Sequence, residues 1–195
     1  MNNLIKSDDK KVRCGWVGTD PDNIHYHDTE WGRKVTYDKA IFEKICLEGF
    51  QSGLSWITIL RKREAFRKAF KQFDPAKVAK FGESDVKRLL ADASIVRHRG
   101  KIEATINNAR KTLEMQKNKE SLSELVWSFA PTRKQRIPTK LADLKSETPE
   151  SVALSKELRR RGFNFVGPTT MHAAMQSLGL INDHLSGCQF RRECG

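Results

Sequence analysis

What this sequence lacks bounds its class. Its 195 residues contain no uninterrupted apolar run near the ~18 residues that a membrane-spanning helix needs. The opening stretch, MNNLIKSDDKK, has no apolar core of the kind that marks a secretory leader, so the expected location is a reducing cytoplasm. Cysteine is scarce. Cys14, Cys46, Cys188 and Cys194 are too few and too scattered for a disulfide framework in that compartment, which leaves buried thiols or metal ligands. Alternating apolar and polar segments are almost absent, so strands are not expected to organise the chain. Nothing repeats, and no segment is of low complexity.

Acid is also in short supply. Lys and Arg number 36 against 24 Asp and Glu, a formal net charge of +12. That excess fits a soluble basic protein, but it favours a polyanionic partner, most simply nucleic acid.

What is present is helix. Residues 38–49, DKAIFEKICLEG, place Ile41, Phe42, Ile45 and Cys46 at helical spacing. Further helices are expected over LSWITILRKREAFRKAF, PAKVAKF after Asp74, ESDVKRLLADA with Ser84 as its cap, KIEATINNARKTLEMQKN, and SLSELVWSFA. Thr148-Pro149 and Pro168 open two more, while PTRKQRIPTK reads as loop. The fold class is therefore all-α with about eight helices. Residues 1–12 read as a flexible arm and 13–195 as a single domain.

Three constellations carry chemistry. The first is KELRRRGFNFVGPTTMHAAM, about residues 155–178: a basic helix, a glycine-bounded turn from Gly162 to Gly167, and a new helix at Pro168. Exposed backbone N–H groups at a helix start bind phosphate, and Arg159, Arg160 and Arg161 stand beside them. The same pattern also suits two helices that merely pack. A second basic cluster, Arg97, His98, Arg99 and Lys101, points to the same polyanion or to a solvated helix start. The second constellation pairs Cys14 and His27 with His184 and Cys188, the latter two at i, i+4. Two thiolates and two imidazoles suit a closed tetrahedral zinc site joining the chain ends. Buried thiols and surface histidines would also explain them, and His25, His172, Cys46 or Cys194 are alternative ligands; Cys46 falls on an apolar face and reads as core. The third is Glu48, which shares a helical face with Ile41 and Ile45. A carboxylate there either meets an Arg or Lys, or lines a pocket for a polar or cationic ligand. Trp16, Tyr26, Trp31 and Trp56 accompany it in the first third of the chain. They form either an aromatic core or a stack for a flat cation.

Taken in order, RCGWVGTDPDNIHYHDTEWG, CLEGFQSGLSWITIL, VRHRGKI, RRRGFNFVG and NDHLSGC resemble the bacterial DNA-3-methyladenine glycosylase I family, from Arg13 to about Cys188. The resemblance implies a helix–hairpin–helix DNA glycosylase fold with one structural zinc on Cys14, His27, His184 and Cys188. It implies Glu48 as the catalytic carboxylate and Tyr26, Trp56, Trp16 and Trp31 as the base pocket. Contacts to DNA fall to Gly53 and Leu54 in the turn after that helix, and to Gly162, Phe163, Val166 and Gly167 in the hairpin. The implied reaction is hydrolysis of 3-methyladenine from double-stranded alkylated DNA, leaving an abasic site, by a monomer. The alternative is a non-catalytic damage-binding protein of the same fold. Asp183 reads as structural, and Pro168-Thr169 offers no lyase lysine. Asn23 and Phe50 depart from the family pattern near the expected pocket rim, and Ser94 replaces a glycine.

Overall fold

The computed structural model describes residues 3–133 and 135–194. Nine α-helices make up the fold among those residues: α1 (Pro21–Thr29), α2 (Asp38–Gln51), α3 (Trp56–Ala69), α4 (Pro75–Val78), α5 (Glu83–Ala91), α6 (Arg99–Lys117), α7 (Leu122–Trp127), α8 (Pro149–Arg160) and α9 (Pro168–Ser177). No helix among them is long and apolar enough to cross a membrane.

α2 runs through the centre, packed by α9, α6, α3 and α7. Every residue from Ile45 to Phe50 is buried, as expected of a helix apolar on nearly all sides. Phe50 closes that run against Phe66 and Phe70, ring centroids 4.6 and 5.8 Å away. It therefore fills the core, and the expectation that it borders a pocket is corrected. The end of α2 is fixed by an unusual cap. The Lys101 ammonium, from α6, donates to the carbonyls of Phe50 (2.9 Å) and Ser52 (2.6 Å), where the helix dipole favours a cation.

Local signals explain the other boundaries. Asp20 caps α1 and Pro21 sits at its first position; this Asp-Pro start is the one helix signal the sequence reading passed over. Thr148 and Ser151 cap α8 reciprocally. The start of α5 differs from expectation: Gly82 is the cap, with its N–H donating to Asp85, and Ser84 lies inside the helix. Residues 4–14 also differ. In place of a flexible arm, β1 (Leu4–Lys6) and β2 (Val12–Cys14) pair antiparallel, with Ile5 opposite Arg13. Strands of three residues are too short to show a period. Met1 and Asn2 lie outside the described residues.

α8 and α9 pack against each other and are joined by the turn 161–167. α6 holds that turn: Asn107 donates to the Gly162 carbonyl (2.7 Å), while Asn108 donates to the Asn164 carbonyl and accepts from its N–H (2.9 and 2.8 Å). Asn108 is buried, so deleting its amide strands two backbone groups. Asn108→Ala is expected to lower stability by about 2 kcal/mol, read as a drop in urea midpoint at unchanged m. A change below about 0.5 kcal/mol would show that the turn is held by other contacts.

Candidate active site and metal centre

The chain ends meet around four buried side chains. Cys14, at the end of β2, and His27, in the last turn of α1, face His184 and Cys188 from the segment after α9. Their ligand atoms all lie within 4.8 Å of one another. Cys188 Sγ is 3.5 Å from both His27 Nε2 and His184 Nδ1, and Cys14 Sγ is 3.9 Å from His184 Nδ1. A tetrahedral ion with the usual metal–sulfur and metal–nitrogen bonds sets sulfur and nitrogen roughly 3.5 Å apart. The donor atoms are therefore already spaced for a metal ion.

The surrounding hydrogen bonds fix both imidazole tautomers for ligation. Asp28 takes the Nδ1 proton of His27 (2.8 Å), leaving Nε2 toward the sulfurs. The Trp31 carbonyl takes the Nε2 proton of His184 (3.2 Å), leaving Nδ1 inward. Arg13, itself buried, clamps Asp28 through Nε and Nη2 and reaches Asp9 in the β-turn at 2.8 and 2.6 Å. The Cys14–Cys188 pairing lowers the Cys188 thiol and, with burial, raises that of Cys14. Cys46 and Cys194 stand outside the group, Cys46 in the core and Cys194 with its thiol toward the Trp31 carbonyl.

On the other side of these ligands lies a cavity of about 240 Å³, lined by Trp16, Tyr26, Trp31, Glu48, Gln51, Trp56, Leu144, Ala173 and Gln176. The structure thus brings Glu48 and all four singled-out aromatics into one place. Trp16 packs edge-on to both His27 and Trp31 (5.4 and 5.0 Å), so the Cys/His group backs the cavity wall. Tyr26 and Trp56 form the facing pair, 5.1 Å apart. The indole N–H of Trp56 is buried without a partner among the described residues, a donor left for a ligand. A larger cavity of about 390 Å³, lined by Arg136, Lys145, His172 and Asp183 among others, has no Trp, Tyr or Phe in its wall. Asn23 does not line the aromatic cavity. Asp183 accepts from Gln176 (2.7 Å) and faces His172 at 3.5 Å, a structural arrangement.

Glu48 resolves its two sequence readings at once. It lines the cavity, and its nearest cation is Lys44, one turn earlier on α2. Burial raises its pKa from 4.5 to about 7, with Lys44 and Ser177 pulling it back. Burial, chiefly, also keeps the Tyr26 phenol protonated. The sequence reading missed Lys44, although its i, i+4 spacing to Glu48 was visible. The ammonium sits 3.1 Å from the Tyr26 hydroxyl and over the Tyr26 and Trp56 rings, 4.9 and 4.6 Å from their centroids.

The expected DNA-facing residues divide. Gly53 has φ +81 and open space where a side chain would be, and Leu54 is exposed. In the hairpin, Phe163 and Val166 are buried, so their side chains belong to the core and only their backbone is available to a ligand. Phe165, not singled out in the sequence, is 41% exposed with φ +55, a conformation bulky residues seldom adopt. The N–H groups of Phe165, Val166 and Gly167 have no partner among the described residues. Of the basic clusters, Arg99 pairs with Glu83 and Glu103, Lys101 is buried under α2, and Arg160 and Arg161 pair with Glu157. Arg97 and Arg159 remain exposed without ion pairs among the described residues, and Arg159 reaches beside Gly167.

Relatives share this arrangement of elements. The family described as methyladenine glycosylase matches residues 16–192. The chain is 54% identical over 177 residues to DNA-3-methyladenine glycosylase 1 of Escherichia coli (strain K12), covering 90% of this chain and 95% of that one. It superimposes on a crystal structure of 3-methyladenine DNA glycosylase I with a TM-score of 0.88 at 51% identity, covering 91% and 98%. A single-residue variant of such a glycosylase, crystallised with 3-methyladenine, superimposes with a TM-score of 0.86 at 34% identity, covering 92% and 97%.

The raised Glu48 pKa makes stability depend on pH. Between about pH 4.5 and 7 the folded chain keeps a proton that the unfolded chain has released, so stability falls as pH rises through that window. Glu48→Gln is expected to match wild type below pH 4.5 and to exceed it above pH 7, by roughly 2–3 kcal/mol. Denaturation at a series of pH values checks this, and identical pH profiles for the two proteins would refute it.

Proposed function

The chain belongs to the methyladenine glycosylase family, and from that membership we propose the chemistry of its site: Glu48 and the aromatic cavity receive a flipped 3-methyladenine and release it from DNA by hydrolysis of the N-glycosidic bond. The observation that carries this reading is a buried carboxylate facing a cavity walled by four aromatic side chains. 3-Methyladenine is cationic on its deoxynucleoside and flat. The tryptophan and tyrosine faces stack on such a base and attract its charge. Glu48, once ionised, accepts hydrogen bonds from the exocyclic amine and offsets the positive charge. Normal adenine lacks that charge and leaves poorly, which accounts for selectivity.

Breaking the N9–C1′ bond sends its electron pair to the base, which departs neutral. Strong protonation of the leaving group is therefore unnecessary. Water adds its oxygen to C1′ and loses a proton, and an abasic site remains. The hairpin has no lysine after Gly167, so we read the enzyme as monofunctional.

DNA is held, in this reading, by a helix–hairpin–helix unit spanning about residues 155–178. The free N–H groups of Phe165, Val166 and Gly167, at the start of α9, receive a phosphate of double-stranded DNA. Gly53 and Leu54 face the gap left by the flipped base. The Cys14, His27, His184 and Cys188 group is read as a zinc site because two thiolates and two imidazoles are zinc's preferred closed set. Zinc there contributes folding energy by tying the chain ends together. We place residues 13–195 in one catalytic domain, acting as a monomer in the cytoplasm where its DNA lies.

Incubation with methylated duplex DNA, followed by chromatography of the released bases, tests the function. Wild type is expected to free 3-methyladenine, and Glu48→Ala to lose at least 100-fold in rate while still folded and metal-loaded. A folded, metal-loaded wild type that frees nothing yet binds an abasic-site analogue would be the damage-binding protein instead. The metal is tested separately by elemental analysis, with one zinc per chain expected. Cys188→Ser is expected to lose that zinc and several kcal/mol of stability. Full stability without zinc would remove its structural role.

A further inference from the structure

Lys44 has no role in the chemistry above, yet its ammonium lies over two of the aromatic rings that line the cavity. The neighbouring charges are already matched elsewhere: Glu30 pairs with Arg63, and Glu43 with Arg67. Lys44 forms no salt bridge among the described residues. It lines a separate cleft of about 150 Å³ with Glu30, Glu43, Arg63 and Arg67, and from there it touches Tyr26, which lines the base cavity. Its one side-chain hydrogen bond among the described residues goes to the Tyr26 hydroxyl, 3.1 Å away.

An ammonium donates and cannot accept. The phenol oxygen is therefore the acceptor in this bond, and its single proton is free for another partner. The acidic and hydroxyl groups near it are Glu48, Ser177 and Glu30, the last already paired with Arg63, and Tyr26 itself lines the cavity. The positive charge also lies within 5 Å of the centroids of both rings, Tyr26 and Trp56, that form one wall. A base that enters as a cation and leaves neutral changes its charge by one unit beside that ammonium. A fixed cation at this place raises the energy of the bound cationic nucleotide more than that of the departing neutral base. Only such differential interactions speed a chemical step. Glu48 acts in the opposite sense, holding the cationic base, and Lys44 limits how deep that binding becomes.

We propose that Lys44 is a positioning residue for base release: it holds the Tyr26 hydroxyl as a donor into the cavity, toward an acceptor nitrogen of the purine, and its charge favours departure of the neutral base. This rests on the glycosylase reading of the same site. It adds a residue, and a charge balance, that stacking and the Glu48 carboxylate do not supply.

The test is a double-mutant cycle with Tyr26→Phe, which leaves the rings in place and removes the hydroxyl. Lys44→Met keeps the length of the side chain and removes the ammonium; Lys44→Arg keeps charge and donor. On methylated duplex DNA, Lys44→Met is expected to lower kcat about 10-fold with KM changed less than 3-fold, and Lys44→Arg to stay within 3-fold of wild type. In the Tyr26→Phe background, the part of the Lys44→Met loss that runs through the hydroxyl should disappear, and any loss left there should be restored by Lys44→Arg, which keeps the charge. A merely structural lysine would show the same loss in both backgrounds without rescue by arginine, and that outcome, or an unchanged Lys44→Met, overturns the proposal. Binding of free, neutral 3-methyladenine, followed by tryptophan fluorescence, runs the same cycle without turnover. Lys44→Met should weaken it several-fold with Tyr26 present and not with Phe. If wild type excises nothing, the function has failed, and this binding cycle still decides Lys44: equal effects in both backgrounds refute it.

Discussion

The structure depends on a short polar relay that begins at a buried arginine. Arg13 grips Asp28, Asp28 fixes the His27 ring, and His27 presents its other nitrogen to the sulfur of Cys188. A buried guanidinium is costly unless every charge is met, and here Asp9 and Asp28 meet it. The relay joins segments 161 residues apart in sequence. It also explains why residues 4–14 form a hairpin instead of an arm: Asp9 sits in the turn that delivers the second carboxylate. The metal group is the meeting point of this relay, and its outer surface is aromatic. Trp31 lends its carbonyl to His184 and its ring to the cavity, while Trp16 lies edge-on to His27. The aromatic cavity wall and the Cys/His group are thus two faces of one layer. A metal bound there holds indoles in position without approaching the chemistry.

The opposite wall is set by a different constraint. α2 is buried along six successive residues, so any ionisable group in that run is desolvated. Glu48 is that group, and burial pushes its pKa up to about 7. The fold does not cancel the cost with an ion pair. Lys44, one turn away, instead spends its hydrogen bond on Tyr26. A tight salt bridge would have neutralised the carboxylate and lost its attraction for a cationic base. Leaving it electrostatically coupled but unpaired keeps that attraction available at the expense of stability, the trade expected of a binding site.

Helical periodicity made most of this visible in the sequence. α2, α3, α6, α8 and α9 follow from apolar spacing and Pro or Thr-Pro starts, because each presents one continuous face to a common core. Glu48 was legible for the same reason, as a carboxylate on an inward stripe. The misses have physical causes. Three-residue strands carry no period. The choice of Gly82 over Ser84 as a cap depends on where Asp85 can reach back. Arg99 and Lys101 read as phosphate contacts because sequence shows charge but not its partner. The same blindness hid Lys44, one of 36 basic residues whose neighbours become clear only in three dimensions. The four Cys and His residues were nameable, but their convergence depended on a fold that closes the chain on itself.

α6 connects these parts without lining the aromatic cavity. From its first turns Lys101 holds the carbonyls of Phe50 and Ser52, which set the turn carrying Gly53 and Leu54. Two turns later Asn107 and Asn108 hold the carbonyls and N–H of Gly162 and Asn164 in the hairpin. A helix advances 1.5 Å per residue, so the six or seven residues between these anchors fix a separation of roughly 10 Å along its axis. Each anchor is a side chain bonded to backbone, and Lys101 and Asn108 are buried, with little freedom to slip. If, as proposed, one of these turns enters a duplex while the other grips a phosphate, that spacing has to be rigid before DNA arrives, since distortion on binding would subtract from affinity. α6 supplies that rigidity. Buried Asn and Lys in the middle of an apolar bundle, costly in themselves, are what such a spacer requires.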